Sequence, residues 1–406
     1  MKIALVSAFD FAYPGGVNSH IQCLAQHLGQ MGHDVRILAP FSEGRGPAPQ
    51  NLVPMGASFP FPSAGSIARC SPSPFLGPTI DAILERENFD IVHVHEPLTP
   101  ALPLTMVWRS TVPTVGTFHA YHGTPVAYHL FKPFLRSAAA RLDGLTAVSK
   151  AAAEFVSQVF PGDYQIIPNG IELEHFNDSV LPISELVDDK LNLLFVGRLE
   201  KRKGLDYLLR AFVKIKSQVP ATRLIVVGSG SARVRRRYAR LVERLQLEDV
   251  VFTGYVPDAV LPRYYRTADV FCTPATGHES FGIVLLEGMA LGKPIVASNI
   301  PGYAGVVTHG REGLLVPPKD PSSLARALVF LLMNESLRHE MGARGKATAA
   351  RYSWKGIAKR LEGLYEDVLA KRAAAPAAAR VEVGVSELPL LMDPEGSLGT
   401  AVGHRP

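Results

Sequence analysis

The sequence predicts an α/β protein: two doubly wound parallel-sheet domains facing each other across a central cleft. Three observations carry that expectation. The chain has 406 residues, 47% of them hydrophobic, which suffices for two cores of ordinary domain size. Short apolar runs alternate with helical periodicity, the pattern of strands covered on both faces by crossover helices. The alternation lapses in an acidic, aperiodic stretch after Glu172 and restarts at Leu191.

The first half opens with an apolar start that lacks the long apolar region of a signal peptide and runs into Pro14-Gly15-Gly16. Ile3–Ser7 is therefore read as a buried strand. Val17–Gly32 has helical periodicity, and Asp34–Ala39, Ile91–His95 and Val112–Phe118 read as further strands. Val126–Arg141 reads as one helix, followed by strands at Leu145–Val148 and Gln165–Ile167. These make a Rossmann-like domain over 1–175, with a linker at 176–190. The second domain, 191–352, has strands at Leu191–Val196, Arg223–Val227, Val250–Phe252, Val270–Thr273, Ile295–Ser298 and Gly313–Val316. Helices are expected at Leu205–Gln218, Ala232–Leu245, Leu261–Ala268, around Glu287, at Pro321–Asn334 and at Ser336–Arg351. A last helix, 353–372, is expected to cross back to the first domain. The tail, 373–406, is rich in Ala, Pro and Gly and reads as largely disordered, although Val381–Leu391 is apolar enough to dock.

Bulk properties exclude several classes. A net charge of +5 tolerates phosphates or an anionic surface but does not argue for nucleic acid. Cys23, Cys70 and Cys272 are far apart and odd in number, which suits neither a disulfide framework nor a zinc site and fits a reducing compartment. No uncharged run is long enough to span a bilayer. The expectation is a cytoplasmic protein whose membrane contact, at the inner face, is peripheral.

The most informative stretch is Gly277–Ser298. It reads as a loop, a short buried helix, a Gly-Lys-Pro turn and an apolar strand. Glu279 precedes the helix, and Glu287 lies eight positions later on its second turn among Val284, Leu285, Leu286 and Met289. A carboxylate there is costly to bury without a partner. The segment Ser280-Phe281-Gly282-Ile283 opens the helix, whose free N–H groups favour an anion. Two acceptors beside an anion site suit a ligand with phosphate and several hydroxyls. Gly197-Arg198-Leu-Glu-Lys-Arg-Lys203-Gly204 follows a strand: Arg198 offers a planar fork and Lys203 a point charge for phosphate. Pro14-Gly15-Gly16-Val17 lets backbone approach a ligand at a helix start; a simple tight turn explains it equally well. Thr117-Phe118-His119 ends a strand where a cleft is expected. His93 and His95 are read as alternating across their strand, so no metal site is expected from them. The helix 232–245 places six arginines opposite an apolar face and is read as solvated surface.

The pattern Glu279-x7-Glu287, with the Gly15-Gly16 loop, Arg198, Lys203 and Asn169-Gly170-Ile171, resembles the retaining glycosyltransferases of family 4. These have the GT-B fold of two Rossmann-like domains. Within them it is most similar to the bacterial phosphatidylinositol mannosyltransferases, over roughly residues 1–370. The resemblance implies a donor site in which Gly15, Gly16, Arg198 and Lys203 hold the diphosphate. Gly254 and Val256 would flank the base. Glu287 would bind the ribose. His119 and Glu279 would meet the hexose, with Ser280, Phe281, Gly282 and Ile283 beside it. His119, Arg198, Lys203 and Glu279 are the expected catalytic residues, and Asn18, Arg69 and Glu96 fall on the acceptor side. The implied chemistry is metal-independent transfer from a GDP- or UDP-hexose to a lipid-linked or other hydroxyl acceptor. The lysine-rich helix of that group has an acidic counterpart here, Thr79–Asn88. A soluble acceptor, a nucleotide-sugar epimerase and a non-catalytic nucleotide-sugar binder remain as other readings. Product analysis without acceptor separates the epimerase; the filled charged positions speak against the binder.

Overall fold

The computed structural model of the protein describes residues 1–44, 47–63, 66–71, 76–121 and 126–374. The first sheet begins with β1 (Lys2–Ser7), helix α1 (Gly16–Gln30) and β2 (Asp34–Ala39), with β1 and β2 paired in parallel. β3 (Leu52–Pro54) extends that edge. β4 (Phe59–Ser63) and β5 (Ser66–Cys70) form a separate antiparallel hairpin. Then follow α2 (Gly77–Glu87), β6 (Ile91–His95), α3 (Leu102–Arg109), β7 (Thr114–Phe118), α4 (Val126–Leu130), α5 (Lys132–Ala139), β8 (Gly144–Ala147), α6 (Lys150–Ser157) and β9 (Gln165–Ile166). The strand order is β3-β2-β1-β6-β7-β8-β9, so the winding reverses between β1 and β6. Both faces of the sheet are covered. Ala4, Val6, Val92 and Val94 join one core; Ile3, Leu5 and Ile91 join the other, under α1.

The second sheet repeats the plan. Its elements are β10 (Leu191–Val196), α7 (Leu205–Gln218), β11 (Thr222–Val227), α8 (Ala232–Arg244), β12 (Val250–Gly254), α9 (Leu261–Thr267) and β13 (Val270–Thr273). They continue as α10 (Ile283–Ala290), β14 (Ile295–Ser298), α11 (Pro301–Ala304), β15 (Gly313–Val316), α12 (Pro321–Leu332) and α13 (Glu335–Ala350). The order β12-β11-β10-β13-β14-β15 reverses between β10 and β13. Two open parallel sheets are therefore present, the architecture of the GT-B fold.

The structure departs from the sequence reading in places. The helix expected over Val126–Arg141 is two helices, α4 and α5, broken at Phe131. Pro133 lies in the first turn of α5, where its missing N–H costs nothing, but it disfavours continuous helix through the preceding residues. β3, the β4–β5 hairpin, α3, α6 and α11 were not read from the sequence; each is short, and periodicity needs length to show. The tail is described only as far as Ala374, where α14 (Trp354–Ala374) ends. Residues 375–406, including Val381–Leu391, lie outside the described residues.

The chain crosses between domains twice, side by side. Ile171 and Ser353 form a parallel bridge; Ile171 N donates to Tyr352 O at 2.8 Å and Trp354 N to Ile171 O at 3.2 Å. α14 then packs on the first domain, burying Ile357, Leu361, Leu364 and Tyr365 in the core that holds Ile3, Leu5, Ile21 and Leu24. α11, which follows β14, touches α6, which follows β8. The carboxyl ends of the two sheets therefore face each other.

Gly170 sits against the second crossing: a Cβ there would fall 2.5 Å from Trp354 Cδ2. The indole is itself buried and has no room to retreat. Gly170→Ala is expected to destabilise the protein by about 1–3 kcal/mol, the usual size of overpacking. A drop in thermal midpoint measures it; an unchanged midpoint would show that the crossing is loosely packed.

Candidate active site

The loop after β10 and the loop after β13 flank the point where the second sheet reverses, where open α/β sheets bind ligands. They are joined through backbone. Thr276 donates to the carbonyl of Arg202 through its N–H at 2.7 Å and its hydroxyl at 3.2 Å. Gly204, which caps α7, has φ +78, and a Cβ there would fall 1.9 Å from the carbonyl oxygen of Pro274. Only glycine tolerates both the left-handed backbone and that approach.

This contact gathers five charges. Glu279 Oε1 lies 2.6 Å from Lys203 Nζ and 2.6 Å from Arg202 Nη1. Arg202 Nε donates to Glu200 Oε2 at 2.9 Å, and Arg198 Nη1 lies 3.0 Å from Glu200 Oε1. Lys203, Arg202, Glu279 and Glu200 are largely buried, while Arg198 is 53% exposed. Three cations meet two carboxylates, leaving one positive charge in excess. Partly dehydrated charges attract more strongly than surface ones. The sequence reading singled out Arg198 and Lys203 in this loop; the structure adds Arg202, which shares Glu279 with Lys203.

Gly282, at φ +90, caps α10 and starts it beneath Glu279. Ser280, Gly282 and Ile283 line that start, half-buried. Phe281 is different: its ring is buried, 5.8 Å from the Tyr352 ring. Any ligand contact at Phe281 therefore falls to its backbone. Glu287 is half-buried and accepts from Tyr265 Oη at 2.6 Å. Dehydration pushes its carboxyl up to about 7, with Asp258 adding to the rise and Lys203 opposing it. Its partner is a tyrosine, whose neutral hydroxyl does not cancel the charge. Gly254 ends β12, its carbonyl taking Gly228 N–H at 2.9 Å, and Val256 packs half-buried on the core.

In the first domain the loop after β1 is fixed by Asn18 and Asp10. Asn18 is buried; its amide accepts from Ser7 Oγ at 2.8 Å and donates to the carbonyls of Asp10 and Tyr13 at 2.8 and 3.1 Å. Asp10 accepts from Ser42, Ser58 and the Ala12 N–H, bonds that hold its carboxyl below the usual range against the opposing effect of burial. The loop delivers Gly15 and Gly16 to the start of α1. Arg69 stacks its guanidinium 4.2 Å from the Tyr13 ring centroid.

Glu96 is buried at φ +57 beyond β6 and accepts the His119 N–H at 2.6 Å. Burial raises its carboxyl to about 7, despite bonds from the His119 and Ala120 backbones. Glu96 thus anchors the backbone that carries His119. The expectation that His93 and His95 alternate across their strand is wrong. They are two residues apart, so the strand period places them on one face, with ring centroids 4.3 Å apart. His93 bonds Tyr365 Oη and Thr117 Oγ1, each at 2.6 Å. His95 Nδ1 meets His119 Nε2 at 2.9 Å, and His20 Nδ1 meets Asn169 Oδ1 at 2.8 Å. Burial lowers all four rings, His20 to about 4 and His93 to about 3, so they are neutral at pH 7. Ligand atoms of His20, His95 and His119 all lie within 4.8 Å of one another, a grouping of three buried imidazoles that the sequence reading did not bring together. His20, which sequence reasoning left without a role, connects His119 to the domain crossing: its ring lies 4.9 Å from both His119 and Trp354.

Comparison with known proteins places this geometry in a family. Residues 14–175 match the model of glycosyltransferase family 4, and residues 178–348 that of group 1 glycosyl transferases. The chain is 35% identical over 374 residues to the phosphatidyl-myo-inositol mannosyltransferase of Mycobacterium tuberculosis, covering 91% of this chain and 97% of that one. Among solved structures, a glycosyltransferase from Rickettsia africae superposes with a TM-score of 0.75 at 20% identity, covering 91% and 99% of the two chains. Anabaena HepE, solved in complex with UDP and glucose, superposes with a TM-score of 0.72 at 20% identity, covering 90% and 100%. The paired open sheets are those of the GT-B fold, and the chain belongs to glycosyltransferase family 4.

Proposed function

We propose that the protein transfers a hexose, mannose foremost, from a nucleoside-diphosphate donor to a hydroxyl of a lipid-linked acceptor, with retention at the anomeric carbon. The observation that carries this reading is the junction of Glu279 with Lys203 and Arg202, with Glu287 on the helix that follows. Without ligand, Glu279 is the counter-ion of these cations. A donor diphosphate would replace it on Lys203 and draw Arg198 from Glu200, leaving the Glu279 carboxylate for hexose hydroxyls. The relatives' mannosyltransferase name supports the sugar and the lipid acceptor.

Gly15 and Gly16 support a phosphate approaching from the first domain. Gly15 has φ −170, extended backbone that any residue adopts, and a Cβ at either position meets nothing within 4 Å. The fold itself requires glycine at neither. Glu287, its carboxyl raised to about 7, gains from hydroxyl donors that favour the ionised form; two ribose hydroxyls would supply them. In the reaction the acceptor oxygen bonds the anomeric carbon as the bond to phosphate oxygen breaks, on the same face. The acceptor proton passes to the departing phosphate. Arg198, Lys203 and the Gly16 N–H stabilise the charge that develops there, and domain closure keeps water from the donor.

Three outcomes test this. Arg198→Ala and Lys203→Ala should each lower turnover by roughly a hundredfold, the usual loss for one preorganised charge stabiliser. Near-wild-type rates in both would remove the phosphate assignment.

EDTA should leave activity unchanged, because side-chain cations supply the charge and the sequence has no Asp-x-Asp pair to hold a metal. Loss of activity restored by Mn²⁺ or Mg²⁺ would place the protein in another mechanistic class.

The two glutamates should separate in calorimetry with plain nucleoside diphosphate. Glu287→Gln should weaken binding by about 1–3 kcal/mol, the size of a lost polar partner. Glu279→Gln should bind at least as tightly as wild type while losing turnover, since the competing counter-ion is gone. The opposite pattern would exchange the two roles.

A further inference from the structure

Helix α8 carries Arg233, Arg235, Arg236, Arg237, Arg240 and Arg244 against one acidic residue, Glu243: six arginines to one glutamate, a net of +5 in 13 residues. The whole chain also nets +5, so the remainder is balanced in sum. All six side chains are exposed. The sequence reading treated them as solvated surface.

Two structural features give this face more specific chemistry. The first is the lack of internal counter-ions. Arg237 pairs with Asp206 at 2.8 Å, and Arg235 donates to the Gly230 carbonyl at 2.8 Å. Among the described residues, no carboxylate pairs with Arg233, Arg236, Arg240 or Arg244. The second is exposed aromatic surface beside them. β12 is the edge strand, and its Phe252 pairs with Val226, which lies in the core under α8 with Tyr238 and Leu241. Phe252 therefore shares the sheet face that α8 covers, yet it is 40% exposed, and Tyr255 just beyond is 67% exposed.

We propose that this face docks on an anionic lipid surface. Basic side chains without internal partners, flanked by aromatic rings, suit the boundary of an acidic leaflet. Nucleic acid fits less well. The aromatic residue of the helix, Tyr238, is buried, so no ring alternates with the arginines to stack a base. The face also borders the cleft: Asp206, the partner of Arg237, lies in the first turn of α7, directly after the loop of Arg202 and Lys203. Docking would bring the mouth of the cleft to the lipid surface. That use rests on the lipid-linked acceptor proposed above; the docking itself does not.

The test is flotation of the full-length protein with phosphatidylcholine vesicles, with and without phosphatidylglycerol, at low and high salt. Wild type should float only with phosphatidylglycerol present and should be released by salt. Arg233→Gln/Arg236→Gln/Arg240→Gln/Arg244→Gln should lower binding by roughly several hundredfold, from about fivefold per charge near an acidic leaflet. The same four positions changed to lysine should keep it. Thermal midpoint and nucleoside-diphosphate affinity should stay at wild-type values in both variants, which separates lost docking from lost folding. Equal flotation of wild type and the glutamine variant, flotation with phosphatidylcholine alone, loss in the lysine variant, or tighter binding to an RNA duplex than to the vesicles would each overturn the proposal. Because flotation needs no turnover, failure of the donor assignment would leave its result intact.

Discussion

The contact between the β10 and β13 loops is the constraint on which the rest of the site depends. Gly204 lets the α7 start press against the Pro274 carbonyl, and Thr276 ties the two loops through the Arg202 carbonyl. Only then can Lys203 and Arg202, from one loop, share the carboxylate of Glu279 from the other. Their positions come from the parallel pairing of β10 with β13, which brings two strand ends far apart in sequence into register.

The first domain solves a different problem with neutral groups. Glu96 stands where a carboxylate is hard to keep ionised and is held by the backbone of the loop it organises. Behind it, His119, His95 and His20 pass contacts ring to ring toward Asn169 and Trp354. Desolvation keeps the rings uncharged, so a packed cluster of imidazoles avoids the repulsion that protonation would bring. The His119 side of the cleft is thereby connected to the place where the chain crosses between domains.

The two crossings work as a pair. Ile171 and Ser353 bridge, and α14 returns to seal the sheet of the first domain. A movement of one domain relative to the other must bend both segments. The basic face of α8 stands on the other side of the second domain's sheet edge. Charge distribution and hinge thus address separate tasks in one chain.

Much of the fold was legible in the sequence, because long helices and continuously apolar strands announce themselves by period. β2, β6, β10, β13, β14, β15 and α7 occur with the bounds their periodicity indicates. The motif loops were also legible, since Gly, Pro and the charged residues at strand ends mark them. What tertiary structure alone decided is partnership. Arg202 and Lys203 share Glu279, Tyr265 meets Glu287, and Asn18 and Asp10 shape the β1 loop. Phe281, though set in the motif, spends its ring on the core. The break between α4 and α5 and the short strands also escaped, for short elements carry too few residues to show a period. The physical reason is the same throughout: local chemistry sets which conformations a segment prefers, whereas a side chain's partner depends on strand register, and register brings together residues that local sequence cannot relate.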